Sequence, residues 1–104
     1  MIVRMWHGRT EARKAADYAR FLQERAVPDY RGTPGNLAVY LLQRDEGEVT
    51  HFITLTHWKS MAAIAAFAGD DVERAKYYPE DADYLLEYEP TVVHYAVIGT
   101  PALG

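Results

Sequence analysis

The run LAVYLLQRDEGEVTHFITLTHWKSMAAIAAFAG, residues 37–69, sets two β-prone stretches and one helix in a row. Leu37–Gln43 and Val49–His57 are rich in leucine, β-branched and aromatic side chains. The short connector between them, Arg44-Asp45-Glu46-Gly47-Glu48, holds the glycine a hairpin turn needs. Ser60 is placed to cap a helix over Met61–Ala68, built almost wholly of alanine with Met61, Ile64 and Phe67, and Gly69 ends it. Small side chains let such a helix lie close against a sheet and bury most of its surface.

Upstream, residues 2–7 alternate as a strand, with Ile2, Arg4 and Trp6 on one face and Val3, Met5 and His7 on the other. Gly8 reads as its end and Thr10 as the N-cap of a helix, with Glu11 in the first turn. Ala12, Ala15, Ala16, Ala19, Leu22 and Ala26 then recur at helical steps as far as Pro28. Residues 28–36 carry turn chemistry and read as a loop. Downstream, Asp70 to Glu73 has the form of an N-cap with a glutamate three positions on, predicting a short helix to about Tyr77. A second short helix follows from Pro79 to about Glu87, then a strand over Thr91–Ile98. The order β-α-β-β-α-β, with extra helical turns before the last strand, is the split βαβ, ferredoxin-like α+β pattern. It is expected as one domain over residues 1–98, with a tail over 99–104. Helices on one side leave the other sheet face to be covered, and Ile53, Leu55, Val93 and Val97 (or Val92 and Ile98) are too apolar to stay wet. A homodimer stacked sheet on sheet is the expectation.

Composition narrows the function. The chain has 104 residues, no cysteine and a formal net charge of −4, which excludes thiolate metal sites, disulfides and a cysteine nucleophile. An acidic total argues against nucleic acid as a partner. The longest charge-free apolar run, Met61–Gly69, falls far short of the roughly 20 residues of a membrane span. No secretory leader pattern opens the chain, so a cytoplasmic protein without membrane contact is expected.

Neither a glycine-rich nucleotide loop nor a serine elbow is present; Ser60, the only serine, serves as a cap. No metal site is expected: His51 and His57 share a strand face but lie roughly 20 Å apart at about 3.3 Å per residue. The acidic run Asp70, Asp71, Glu80, Asp81 and Asp83 is explained by helix N-termini. What remains is an unusual aromatic content, thirteen rings of which eight are tyrosine. Trp6, Trp58, Tyr77, Tyr78, His94 and Tyr95 fall near the ends of elements that converge in this fold. Core packing is the simpler use of any single ring. Arg4 is different, because a cation in the first strand of an apolar sheet needs a carboxylate, a ligand or an interface partner. Together these side chains predict an aromatic-lined cavity between sheet and helices that takes a flat organic molecule.

The stretches Thr54-Leu55-Thr56-His57-Trp58-Lys59-Ser60, Ala63-Ile64-Ala65-Ala66-Phe67-Ala68-Gly69-Asp70 and Glu89-Pro90-Thr91-Val92-Val93-His94-Tyr95 resemble the antibiotic biosynthesis monooxygenase family of dimeric α/β barrels. The resemblance extends over residues 1–98. It implies oxygen insertion into an electron-rich aromatic or polyketide-type molecule without metal, flavin or other cofactor. In that scheme His94 is the base, Arg4 and Tyr77 stabilise the anion, Trp6 and Trp58 are stacking walls, and Phe67 and Tyr78 complete the substrate pocket. A non-catalytic ligand-binding or dimerisation module of the same fold is the alternative, distinguished by whether a base stands against an anion-stabilising group. A haem-degrading branch of the family is similar at Trp58. Its first-strand Asn and haem-ligating His correspond, by ungapped placement, to Trp6 and Tyr77, so neither is retained and Tyr77 would have to ligate.

Overall fold

In the computed structural model, which describes residues 1–99, four antiparallel strands form one sheet in the order β2-β3-β1-β4. They are β1 (Ile2–Glu11), β2 (Asn36–Glu46), β3 (Val49–Trp58) and β4 (Val93–Ala96). Helices α1 (Ala15–Phe21), α2 (Val27–Arg31) and α3 (Met61–Ala68) cover one side, giving the ferredoxin-like α+β arrangement. The β2–β3 hairpin and α3 fall where the sequence places them. Ser60 caps α3 by accepting from the Ala63 N–H at 3.1 Å, and Gly69 ends it with φ near 93°. Among the described residues no helix is long and apolar enough to cross a membrane. Of the tail expected over 99–104, all but Gly99 lies outside the described residues.

Five expectations are corrected. β1 does not stop at Gly8 but runs to Glu11, and Thr10 is a wholly buried strand residue rather than a helix cap. Gly8 is there for space: a Cβ at that position would sit 2.4 Å from the Trp6 ring and 3.1 Å from Leu85. Gly8→Ala is therefore expected to displace the indole and cost about 1–3 kcal/mol, measured as a lower urea midpoint with a shifted tryptophan emission. An unchanged midpoint would mean the ring has room to move.

The first helix does not end at Pro28. A π turn over Leu22–Ala26 precedes α2, which contains the proline near its start. The wider turn accommodates a residue with no N–H to give and a ring that would press on the carbonyl four residues back. The helical face of Ala15, Tyr18, Leu22, Ala26 and Tyr30 consequently stays on the core through residues expected to be loop. Third, residues 70–77 form no helix. Their backbone pairs instead with the approach to β4, through Ala75 N–H to Pro90 O at 3.0 Å and Val92 N–H to Glu73 O at 2.8 Å. The predicted helix over 79–87 is one short 3-10 stretch, Pro79–Asp83, and β4 is limited to Val93–Ala96.

Strand register sorts the side chains. Arg4, Trp6, Thr10, Phe52, Thr54, Thr56 and Trp58 face the helices and are buried. The opposite face carries Val3, Met5, Ile53 and Leu55 together with Tyr40, Val93 and Tyr95, which are 53%, 51% and 56% exposed. Val93 thus lies on the outer side as one of the two expected registers has it, and Val92 is buried.

Candidate functional site

Arg4 of β1 stands directly opposite His94 of β4 in the antiparallel register. Directly paired residues point to the same face, so both are turned toward the helices. Arg4 is 2% exposed. One guanidinium nitrogen donates to the Arg74 carbonyl at 2.9 Å, the guanidinium carbon lies 5.7 Å from the centre of the Phe67 ring, and Nε is buried without a partner. No carboxylate is bonded to it among the described residues. Desolvation pulls its pKa below the usual arginine value, but an arginine stays charged under any ordinary condition. His94 Nε2 is likewise buried and unpartnered. Desolvation first, and the Arg4 charge second, lower its pKa, which favours the neutral imidazole.

That shift carries a sign. The unfolded chain binds a proton at His94 near pH 6.5 while the folded chain resists it, so stability falls as pH drops through 6.5 toward the lower folded value. His94→Gln is expected to flatten this part of the acid limb. Urea midpoints measured from about pH 5 to 7.5 bracket the histidine range and check it; superimposable profiles for the two proteins would contradict it.

Residues 70–78 run as a strap over the same face and are tied down by side chains. Lys76 Nζ donates to Asp29 Oδ2 at 2.8 Å, and the Tyr78 hydroxyl donates to the same oxygen at 2.6 Å. Burial raises the Asp29 pKa, but these two bonds outweigh it and hold the carboxyl below its ordinary range. Lys76 Nζ also sits 4.2 Å from the Phe67 ring centre, and the Arg25 guanidinium lies 4.4 Å from that of Tyr78. The Tyr77 hydroxyl donates to the Glu89 carbonyl at 2.5 Å and receives the Trp6 indole N–H at 3.3 Å. Asp81 anchors the end of the strap, accepting the Tyr18 hydroxyl at 2.9 Å and the Tyr78 N–H at 2.7 Å. Burial raises the Asp81 pKa against the pull of those donors. Tyr77 and Tyr78 are both pushed up, chiefly by desolvation, and remain neutral phenols.

Beneath the strap lies a cavity of about 20 Å³ bordered by Trp6, Tyr30, Thr54, Lys76, Tyr78 and Asp81, among others. The volume suits a single water and no aromatic ring. Around this gap the rings expected to line an aromatic cavity pack against one another. Tyr30 stacks on Phe67 with centroids 4.5 Å apart. Trp58 has no exposed surface; its indole N–H is bonded to Thr56 at 2.8 Å and its ring packs on Tyr30 and Phe67. Trp6 and Tyr78 border the gap, Phe67 backs Arg4 and Lys76, and Tyr77 is held by Glu89. Tyr30, Lys76, Asp29 and Asp81 join the site without having been singled out for it. Asp29 and Tyr30 fall in the Pro28–Arg31 stretch, where the turn-like composition hides a helix.

The model of a protein family described as antibiotic biosynthesis monooxygenase matches residues 1–75. Solved structures share the fold. A candidate antibiotic biosynthesis monooxygenase from Nitrosomonas europaea superposes with a TM-score of 0.68 at 20% identity, over 95% of this chain and 100% of the other. One from Bacillus cereus gives 0.67 at 13% identity, over 100% and 97%. A variant of MhuD with two manganese protoporphyrin IX molecules bound per active site gives 0.62 at 18%, over 98% and 99%. No curated protein matches the sequence significantly.

Proposed function

The chain belongs to the antibiotic biosynthesis monooxygenase family, and from that premise we propose that it is a cofactor-independent monooxygenase-like protein for an electron-rich aromatic or polyketide-type molecule. Arg4 carries this reading. A buried cation in this sheet needs a carboxylate, an interface or a ligand. It has no bonded carboxylate and does not face the outer side of the sheet, which supports an anionic ligand.

The chemistry follows from that placement. Neutral His94 takes a proton from a phenol or enol, and the oxyanion is held by Arg4 in a site shut off from water. The ionised substrate gives one electron to O₂. The radical and superoxide join as a peroxide at the substrate carbon, and loss of water, with the proton returned by the histidine, leaves a carbonyl. The substrate must displace Tyr78 and Lys76 to enter, so the strap opens by breaking the contacts on Asp29. Tyr77 can turn its hydroxyl to the oxyanion only after leaving the Glu89 carbonyl.

A matched pair of ligands tests the site. A polycyclic phenol or anthrone should raise the melting temperature, while its O-methyl ether, which cannot ionise, should not. Equal shifts with both would sink the anion site. Binding without oxygen consumption would favour the non-catalytic module.

Haem is the group implied by the MhuD likeness, and the residues do not fit it. The two corresponding positions hold Trp6 and Tyr77, neither of them a histidine, and desolvation raises the Tyr77 pKa and so disfavours the phenolate that would ligate iron. Titration with haemin is expected to give no ligated Soret band. A tight complex would restore that branch.

The exposed apolar face bearing Tyr40, Val93 and Tyr95 supports a homodimer stacked through the sheets. Light scattering on the eluting protein should give twice the chain mass; a monomer at micromolar concentration would overturn it.

A further inference from the structure

At the polar end of the outer sheet face, beyond the reach of β4, His7 and His51 form an assembly that the monooxygenase reading does not use. His7 Nε2 lies 2.9 Å from His51 Nδ1. The outer nitrogen of each ring is bonded to a carboxylate, His7 Nδ1 to Glu89 and His51 Nε2 to Glu46, the latter at 2.9 Å. Other charged groups here are Arg44, 3.5 Å from Glu46, and Arg9, paired with Glu87 at 2.6 Å. An ionised carboxylate only accepts, so both outer nitrogens must donate. Each neutral ring then turns a bare lone pair inward. Two lone pairs cannot face each other at this separation without a cation between them.

A shared proton meets that requirement, and so does a metal ion. Zinc–imidazole bonds of about 2.0–2.1 Å in tetrahedral geometry need the nitrogens about 3.3 Å apart, so the contact widens and both rings turn until their lone pairs converge on the ion. Carboxylates on the distal nitrogens are the usual outer partners of metal-binding histidines, fixing the tautomer and raising ring basicity. A pocket of about 200 Å³ lined by His7, Leu42, Gln43, Arg44, His51 and Ile53 adjoins the pair. No cluster of three His, Cys, Asp or Glu ligands exists among the described residues, so water or a small ligand in this pocket must complete the coordination.

We propose that His7 and His51 bind a divalent transition-metal ion between Nε2 of one and Nδ1 of the other, the shared proton leaving to solvent. Imidazole donors select zinc, nickel or copper over magnesium and calcium. The sequence pairs His51 with His57 along one strand, but its chemical partner lies across the sheet.

Calorimetric titration of the full chain with zinc chloride tests the site, with magnesium chloride as the contrast. Zinc should saturate at one ion per chain, and magnesium should give no binding heat. His7→Ala and His51→Ala should each weaken zinc at least tenfold. Glu46→Gln, which keeps both ligands, should weaken it about tenfold, whereas His57→Ala should leave it unchanged. Circular dichroism establishes that each variant is folded, and the Glu46 variant carries the test if a histidine variant is not. Absence of saturable zinc binding, or binding that survives both histidine substitutions and Glu46→Gln, would overturn the proposal.

Discussion

Arg4→Met is expected to leave the protein at least as stable as the parent while removing its response to an ionised ligand. The guanidinium is 2% exposed, has one bond to a backbone carbonyl and no bonded carboxylate, so folding desolvates a charge with little return. Replacing buried ionic groups by apolar ones of similar shape is often neutral or stabilising by about 1–4 kcal/mol. Met reaches about as far as the arginine Nε and supplies an apolar stem; the opposing losses are the bond to Arg74 and the guanidinium that lies over Phe67. If the charge exists to hold an oxyanion, turnover should fall by about 10²–10³, the usual result of losing one such group. Thermal melts with and without an ionisable aromatic check both halves. A large loss of stability would mean Arg4 is structural, and unchanged turnover would mean that the anion is held elsewhere.

Asp81→Ala is expected to have the largest effect on stability. Its two oxygens accept the Tyr18 hydroxyl and the Tyr78 N–H, and the residue is buried. Removing the carboxylate leaves both donors without a partner, at about 1–3 kcal/mol each. For a domain of this size a loss of about 3 kcal/mol lowers the melting temperature by roughly 10–25 °C. Tyr78 is one of the strap residues bordering the gap, so the damage should be local first: amide exchange should rise in residues 72–84 before it rises in β1 and β3. Uniform acceleration along the chain would show that Asp81 supports the whole core instead.

Fold and site were legible to different depths. Hairpin and α3 signals are local: β-prone runs, a glycine in the turn, one serine cap. The features whose local signals point the wrong way depend on distant partners. Gly8 resembles a strand breaker until the Trp6 ring is seen to occupy the space of its missing Cβ. Pro28 resembles a helix stop unless a π turn precedes it. Asp70 to Glu73 has a helix-start pattern, but the backbone after it finds partners at Pro90 and Val92. Asp81, explained by its place at a helix start, is in addition the buried acceptor for Tyr18.

The site was legible as a set of residue types and not as a shape. Whether Arg4 and His94 share a face depends on the register of β4, which alternation alone leaves undecided between Val92 and Val93; the pairing Arg4↔His94 fixes it. Nothing in the pattern reveals that Lys76 and Tyr78 would meet at Asp29 and close the space between sheet and helices. The His7–His51 contact is hidden for the same reason, since antiparallel pairing brings together residues 44 positions apart.

Oxygen uptake with a panel of anthrones and hydroquinones, in metal-free buffer, tests the monooxygenase reading most directly. At least one compound should consume O₂ above its uncatalysed rate, yielding a carbonyl product. Arg4→Met should lower that uptake by about 10²–10³ and His94→Ala should sharply reduce it, with both variants folded. No uptake with any compound, or uptake indifferent to both substitutions, would contradict an oxygenase built on Arg4 and His94.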